Sequence, residues 1–253
     1  MKGVCVLFSQ TDVSGNATQK RMKEFIDERN VELWNQLNED YNIEIEPSFN
    51  DEYSCFTQND KAIIYVDYQN ISKDSFTHEL LHIYLKHKEF YLGSSLKVTL
   101  QQSNILRKYL SENLLEHIGN CLDHLKMFKI YNDLGFDKNL FLLDFEENKC
   151  NTFELANLKA NFKIKRNVNP LAIDFYIGKL IAMLCDPNEK HIYNIQLSEF
   201  KKLDVELFTI VEKLVNETKE FDIESNDSLN SYRDISTAFY SRLVKWIHKN
   251  NIK

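Results

Sequence analysis

The spacing of hydrophobic residues along the chain predicts a protein built mainly from helices. In residues 17–41, apolar side chains recur at approximately helical intervals with charged residues between them, which predicts one long helix interrupted near Asn30. From Gln101 onward almost every segment keeps the helical period. We expect further helices at 106–128, 153–162, 172–185, 197–219 and 229–248.

Shorter stretches in the N-terminal part predict a small β-sheet. Residues 41–49 alternate between apolar and charged side chains, and residues 61–68 are rich in β-branched and aromatic side chains. Residues 1–8 form a short apolar run that we also interpret as a strand. The pattern therefore predicts an α+β fold that is predominantly helical. The sheet lies in residues 1–150 and a helical region follows in residues 151–253, and the two can form one continuous domain.

The composition restricts the class of partner and the cellular compartment. A formal net charge of −7, with no basic cluster longer than Lys163–Arg166, disfavours nucleic acid as a partner. No segment approaches the roughly 18 to 20 continuous apolar residues that cross a bilayer, so we expect no membrane partner. The five cysteines are odd in number and never in a C-x-x-C spacing, which argues against a disulfide framework. The sequence therefore predicts a cytoplasmic protein, and it leaves the oligomeric state open.

One predicted helix, for which Ser72 or Asp74 is the candidate N-cap, carries the residue types of a metal site. Its sequence includes His78-Glu79-Leu80-Leu81-His82. Residues four apart lie one turn above each other on a helix, so the two histidines can present their imidazoles to a single ion. Glu79 lies one step round the helix, where it can accept a proton from a metal-bound water and pass it to a leaving amine. The spacing predicts a Zn²⁺ site with His78 and His82 as ligands and Glu79 as the catalytic base.

This segment resembles the active-site helix of the zincin metallopeptidases. In that superfamily a strand-edged lobe precedes the active-site helix and a helical part supplies a third ligand, an order that matches residues 41–130. The resemblance implies a zincin-like catalytic domain in residues 1–150 that hydrolyses a peptide or protein substrate by a zinc-activated water. It also leads us to expect that the strand Ala62–Val66 edges the cleft and binds the substrate backbone by strand addition.

Two further comparisons refine this resemblance. The metzincin subclass is disfavoured, because its longer motif requires glycine and histidine where this chain has Leu85 and Lys88. Residues 120–136 also resemble bacterial proteins that carry an HELLH-type motif. That second resemblance implies no substrate.

The next long predicted helix supplies the candidates for the third zinc ligand. Its main apolar stripe, which should face the core, consists of Leu110, Leu114, Ile118, Cys121, Leu125 and Phe128. At about 100° per residue, His117 and His124 border this stripe. Glu116 and Asp123 point nearly opposite to it. We select His124, because Asn120 lies one turn before it as a candidate hydrogen-bond partner and because the bacterial resemblance includes both residues. His117 and Glu116 remain alternatives, since both residue types bind zinc.

Two other classes of function remain open. The chain can be a regulatory or interaction protein that binds partners through residues 150–253 and keeps only a vestigial or structural metal site. It can also be a metal-dependent hydrolase of non-peptide bonds, since the same chemistry attacks esters and amides in general. A histidine pair at this spacing can also lie on a solvated surface without a metal.

Overall fold

The computed structural model describes residues 23–225 and 231–252. The α-helices of this part are α1 (Val31–Asp40), α2 (Lys73–His87), α3 (Leu92–Gln101), α4 (Glu112–Asp133), α5 (Thr152–Asn161), α6 (Ile173–Leu184), α7 (Asn194–Leu203), α8 (Val205–Glu220) and α9 (Tyr232–Lys249). The strands are β1 (Asn42–Pro47), β2 (Ser54–Gln58), β3 (Lys61–Val66), β4 (Lys163–Ile164) and β5 (Asn167–Val168). Short 3₁₀ helices occur at Leu106–Lys108, Lys138–Leu140 and Pro170–Ala172. The fold is thus α+β and predominantly helical, as predicted.

The main sheet has three strands in the order β1-β3-β2, with β3 parallel to β1 and antiparallel to β2. The prediction that Ala62–Val66 edges a cleft is therefore wrong, because this segment lies in β3, the central strand. Its alternate residues Ala62, Ile64 and Val66 are buried, and the residues between them are half-buried. Apolar side chains on both faces are typical of a central strand. Among the described residues the edge strands are β1 and β2, and β2 was not predicted from the sequence.

Helix α2, which carries the predicted motif, has clear start and end signals. The Ser72 side chain caps it by accepting a hydrogen bond from the backbone N–H of Ser75 at 3.0 Å. Asp74 lies in the first turn and Lys86 in the last, which complements the helix dipole. The helix packs against α1, α4, β2 and β3, so it is held between the sheet and the helical layer.

Helix α4 is buried on more than one side, because it contacts α2, α3, α6 and α8. The prediction that Asp123 points away from the core is therefore wrong, since Asp123 is buried and faces α2. Cys121, Leu125 and Phe128 of the predicted stripe are only half-buried. A single apolar stripe is expected for a helix that packs on one face only. Helix α4 packs on several faces, so one stripe does not describe its buried residues.

Several other predictions can be compared with the described residues. The interruption near Asn30 is confirmed, since residues 23–25 and α1 are helical with a break between them. Helices α5 and α6 match their predicted ranges. The predicted helix at 197–219 is divided into α7 and α8 at Asp204, and α3 was not predicted. The predicted strand at 1–8 and the start of the helix predicted at 229–248 lie outside the described residues.

Buried apolar residues from both predicted regions, between Phe25 and Ile247, form one hydrophobic cluster. Helices α3 and α4 approach very closely within it, since a Cβ added to Gly93 would meet the Cα of Gly119 at 2.9 Å. The cysteines of residues 23–225 are free thiols. Among the described helices, none has both the length and the apolar character that crossing a bilayer requires.

Candidate metal centre

Three histidines from two helices meet beside the sheet. His78 and His82 project from successive turns of α2, and His124 projects from α4. One nitrogen from each imidazole can be chosen so that the three atoms all lie within 4.8 Å of one another. The ring centroids are 4.9 Å apart for His78 and His124, and 5.4 Å apart for His82 and His124. These three histidines are therefore close enough together to bind one metal ion.

The charge state of these imidazoles suits a cation. Burial, together with the neighbouring His82, lowers the pKa of His78 to about 3. Burial and the charges of His78 and His82 also hold the pKa of His124 well below its usual range. Both rings are therefore neutral near pH 7, and a neutral imidazole nitrogen is a metal ligand. Nδ1 of His78 is buried without a hydrogen-bond partner among the described residues, which is costly unless another group completes the site.

Asp123 contacts the ring of His82, one of the three histidines. Its Oδ2 lies 3.5 Å from Nδ1 of His82 and 3.2 Å from the ammonium of Lys86. Burial acts to raise the pKa of Asp123, but the His82 hydrogen bond and the Lys86 charge outweigh it and leave the pKa below its usual range. A carboxylate at Nδ1 directs the other nitrogen of His82 towards the three-histidine cluster.

Glu79 lies beside the cluster and is almost fully buried. Burial raises the pKa of its carboxyl group, while His82 and the thiol and backbone N–H of Cys55 act in the opposite direction. Cys55 belongs to β2, so Glu79 lies between the metal-ligand candidates and the edge strand. A carboxylate with a raised pKa, in reach of a polarised water, is suited to proton transfer.

The histidines and Glu79 open into a cleft of about 650 Å³. Its walls are formed by β2 with the loop before it, by the helices α2, α3 and α4, and by residues 140–143. Among the described residues β2 pairs with β3 alone, and its residues Ser54, Cys55 and Thr57 line the cleft. Phe141 closes one end, because its ring packs on His78 and His124 with centroids at 4.9 and 5.5 Å.

The alternative third ligands lie apart from the cluster. His117 faces α6, where its Nε2 is 3.2 Å from the carbonyl oxygen of Gly178. Glu116 is at the cleft mouth and forms an ion pair with Lys97 at 2.8 Å. Asn120 lines the cleft one turn from His124. The candidate that borders the same cleft as His78 and His82 and joins their cluster is His124.

Comparison of the chain with models of known protein families, with curated proteins and with solved structures found no match. The geometry of the site is therefore the basis for assigning a function. The contacts of Asp123 with Lys86 and His82, and of Cys55 with Glu79, were not predicted, because no spacing along the chain indicates them. The apolar residues Leu140–Leu143 could have been noticed as an unusually hydrophobic connection between helices.

Proposed function

We propose that this protein is a zinc-dependent metallopeptidase with a zincin-like catalytic region. In this proposal His78, His82 and His124 hold the metal and Glu79 is the general base. The observation that carries the proposal is the three-histidine cluster with a buried glutamate beside it, in a cleft open to a substrate. Three protein ligands with one position left for water or substrate are the usual arrangement of catalytic zinc.

The donor set fits such an ion. Imidazole nitrogens suit zinc, and the unpartnered Nδ1 of His78 and the neutral state of His78 and His124 are what a cation site requires. When bound, zinc would supply a Lewis acid that polarises a carbonyl group and lowers the pKa of a water molecule.

The chain's own residues supply the proton transfer and the orientation. Glu79 would take the proton of the attacking water and return it to the leaving amine, which its raised pKa makes easier. Asp123 would hold His82 in the orientation that ligation needs, and Lys86 would offset the buried charge of Asp123.

A peptide is the favoured substrate class because β2 lies at an edge of the sheet formed by the described residues and lines the cleft. Its outward backbone groups can pair with an extended peptide, and the side chains of that peptide would then alternate between the cleft and solvent. This role replaces the one that the sequence analysis gave to Ala62–Val66.

The test of the metal site compares zinc content and affinity among alanine variants. We expect about one zinc ion per chain in the wild type and none in the double variant His78→Ala/His82→Ala. His124→Ala should lose at least about 100-fold in zinc affinity, because it removes a ligand. His117→Ala, a histidine on the same helix that faces α6, is the matched control. Full zinc occupancy in the double variant, or equal affinities for the two single variants, would contradict the assignment.

A further inference from the structure

Two leucines at the cleft are exposed to solvent beside the three-histidine cluster. Leu143 is 96% exposed and Leu140 is 55% exposed, and both line the cleft. Apolar side chains this exposed are common one at a time, but a pair at the mouth of a cleft is typical of a binding surface.

The leucines are held in place by the residue between them. Phe141 is only 2% exposed, and its ring packs on the rings of His78, His124, Phe128 and Tyr131. This anchor fixes residues 140–143 next to the metal-ligand candidates. Leu140 and Leu143 therefore lie on a supported surface, and burying them against a ligand would not require much reordering of the chain.

The β2 side of the cleft is more polar than this pair of leucines. It presents Ser54, Cys55 and Thr57, and Ser94 of α3 lies across from it. The positive side chains of the cleft are already neutralised, since Lys86 pairs with Asp123 and Lys97 pairs with Glu116.

The loop before β2 adds charge to the same cleft. Asp51 and Glu52 line it, and the described residues provide no ion-pair partner for either. Residues 140–143 would therefore provide an apolar contact to a bound substrate. The negative charge of Asp51 and Glu52 near β2 would repel an acidic peptide.

We propose that the cleft selects peptides with a large apolar side chain near the scissile bond, bound against Leu140 and Leu143, and that it discriminates against acidic residues there. This inference rests on the proposed peptidase function. Because Phe141 touches two of the metal-ligand candidates and Leu140 is its neighbour in the chain, the selected side chain binds close to the scissile bond.

The test is a digestion of a peptide library derived from a whole proteome, with new termini identified by mass spectrometry. The zinc-loaded wild type should cut next to Leu, Ile, Met or Phe several-fold more often than their frequency in the library predicts. The variant Leu140→Ser/Leu143→Ser should lower kcat/KM on these peptides about tenfold to 100-fold, because it removes most of the apolar contact. Both leucines are exposed, so this variant is expected to fold.

The matched control is Leu171→Ser, which changes a leucine that is 91% exposed and does not line the cleft. It should keep the wild-type preference. Cleavage without an apolar preference, or a preference unchanged in the double variant, would overturn this inference and leave the proposed function intact. No zinc-dependent cleavage of any peptide by the wild type would overturn both.

Discussion

Replacing Asp123 by Asn tests how the protein orients His82. The substitution keeps the size of the side chain but removes the charge that faces Nδ1 of His82 at 3.5 Å and Lys86 at 3.2 Å. Loss of a carboxylate that supports a metal-binding histidine typically weakens metal affinity by about 10-fold to 100-fold. The His82 contact is longer than an ideal hydrogen bond, so we expect about tenfold, which corresponds to about 1.4 kcal/mol.

The same substitution should also destabilise the apo protein. Lys86 is only 16% exposed and would lose its charged partner, at a cost of about 1 to 3 kcal/mol. The double variant Asp123→Asn/Lys86→Met removes both charges. It should recover much of the lost stability without recovering zinc affinity, because Nδ1 of His82 still lacks its carboxylate.

Competition with a chromogenic chelator measures the zinc affinity, and urea unfolding measures the stability. Asp133→Asn is the control, since Asp133 is an exposed residue of the same helix that pairs with Lys129. If Asp123→Asn binds zinc as tightly as the wild type, Asp123 does not orient His82. If the double variant regains full zinc affinity, the effect on the metal comes from the loss of folding stability.

Two further predictions concern the fold and its response to acid. Gly93→Ala should lower the free energy of unfolding by about 1 to 3 kcal/mol, because the new Cβ would meet the Cα of Gly119 at 2.9 Å. Gly178→Ala is the control, because its new Cβ would meet a flexible leucine side chain at 3.4 Å, and it should change the free energy of unfolding far less. If the two variants lower the melting temperature equally, the close approach of α3 and α4 is not the cause. Acid should destabilise the apo protein through His78, whose pKa falls from 6.5 to about 3 on folding. Between these two pH values the unfolded chain binds a proton that the folded chain does not. The free energy of unfolding therefore has its full contribution from His78 above about pH 6.5, and below that pH it decreases by up to about 1.4 kcal/mol per pH unit. Urea unfolding at several pH values should show a shallower dependence for His78→Gln, and an equal slope would exclude this cause.

The sequence predicted the parts of the structure that depend on local pattern. The motif on α2 has a helical spacing that brings His78 and His82 to one face, and the Ser72 cap lies one residue before that helix. The three leucines of α3, Leu92, Leu96 and Leu100, also have helical spacing, but this helix was not predicted, and Gly93 and two serines weaken its local helical pattern.

What the sequence could not predict depends on contacts between distant segments. The position of β3 in the sheet depends on its pairing with β1 and β2, and apolar residues on both faces were the one local indication of a central strand. Asp123 was placed on the wrong face because α4 packs against several helices and a single stripe does not describe it. The contacts of Glu79 with Cys55, and of Phe141 with the histidines, join different elements of the fold, so the local pattern of neither segment indicates them.

The most direct test of the central claim is the rate of peptide hydrolysis by Glu79→Gln at matched zinc content. Glutamine keeps the size of the side chain but cannot accept the proton of water, so zinc should remain bound at about one ion per chain. Turnover should fall by a factor of about 10² to 10⁴ relative to the wild type. A Glu79→Gln protein that binds zinc and hydrolyses peptides at the wild-type rate would contradict the account.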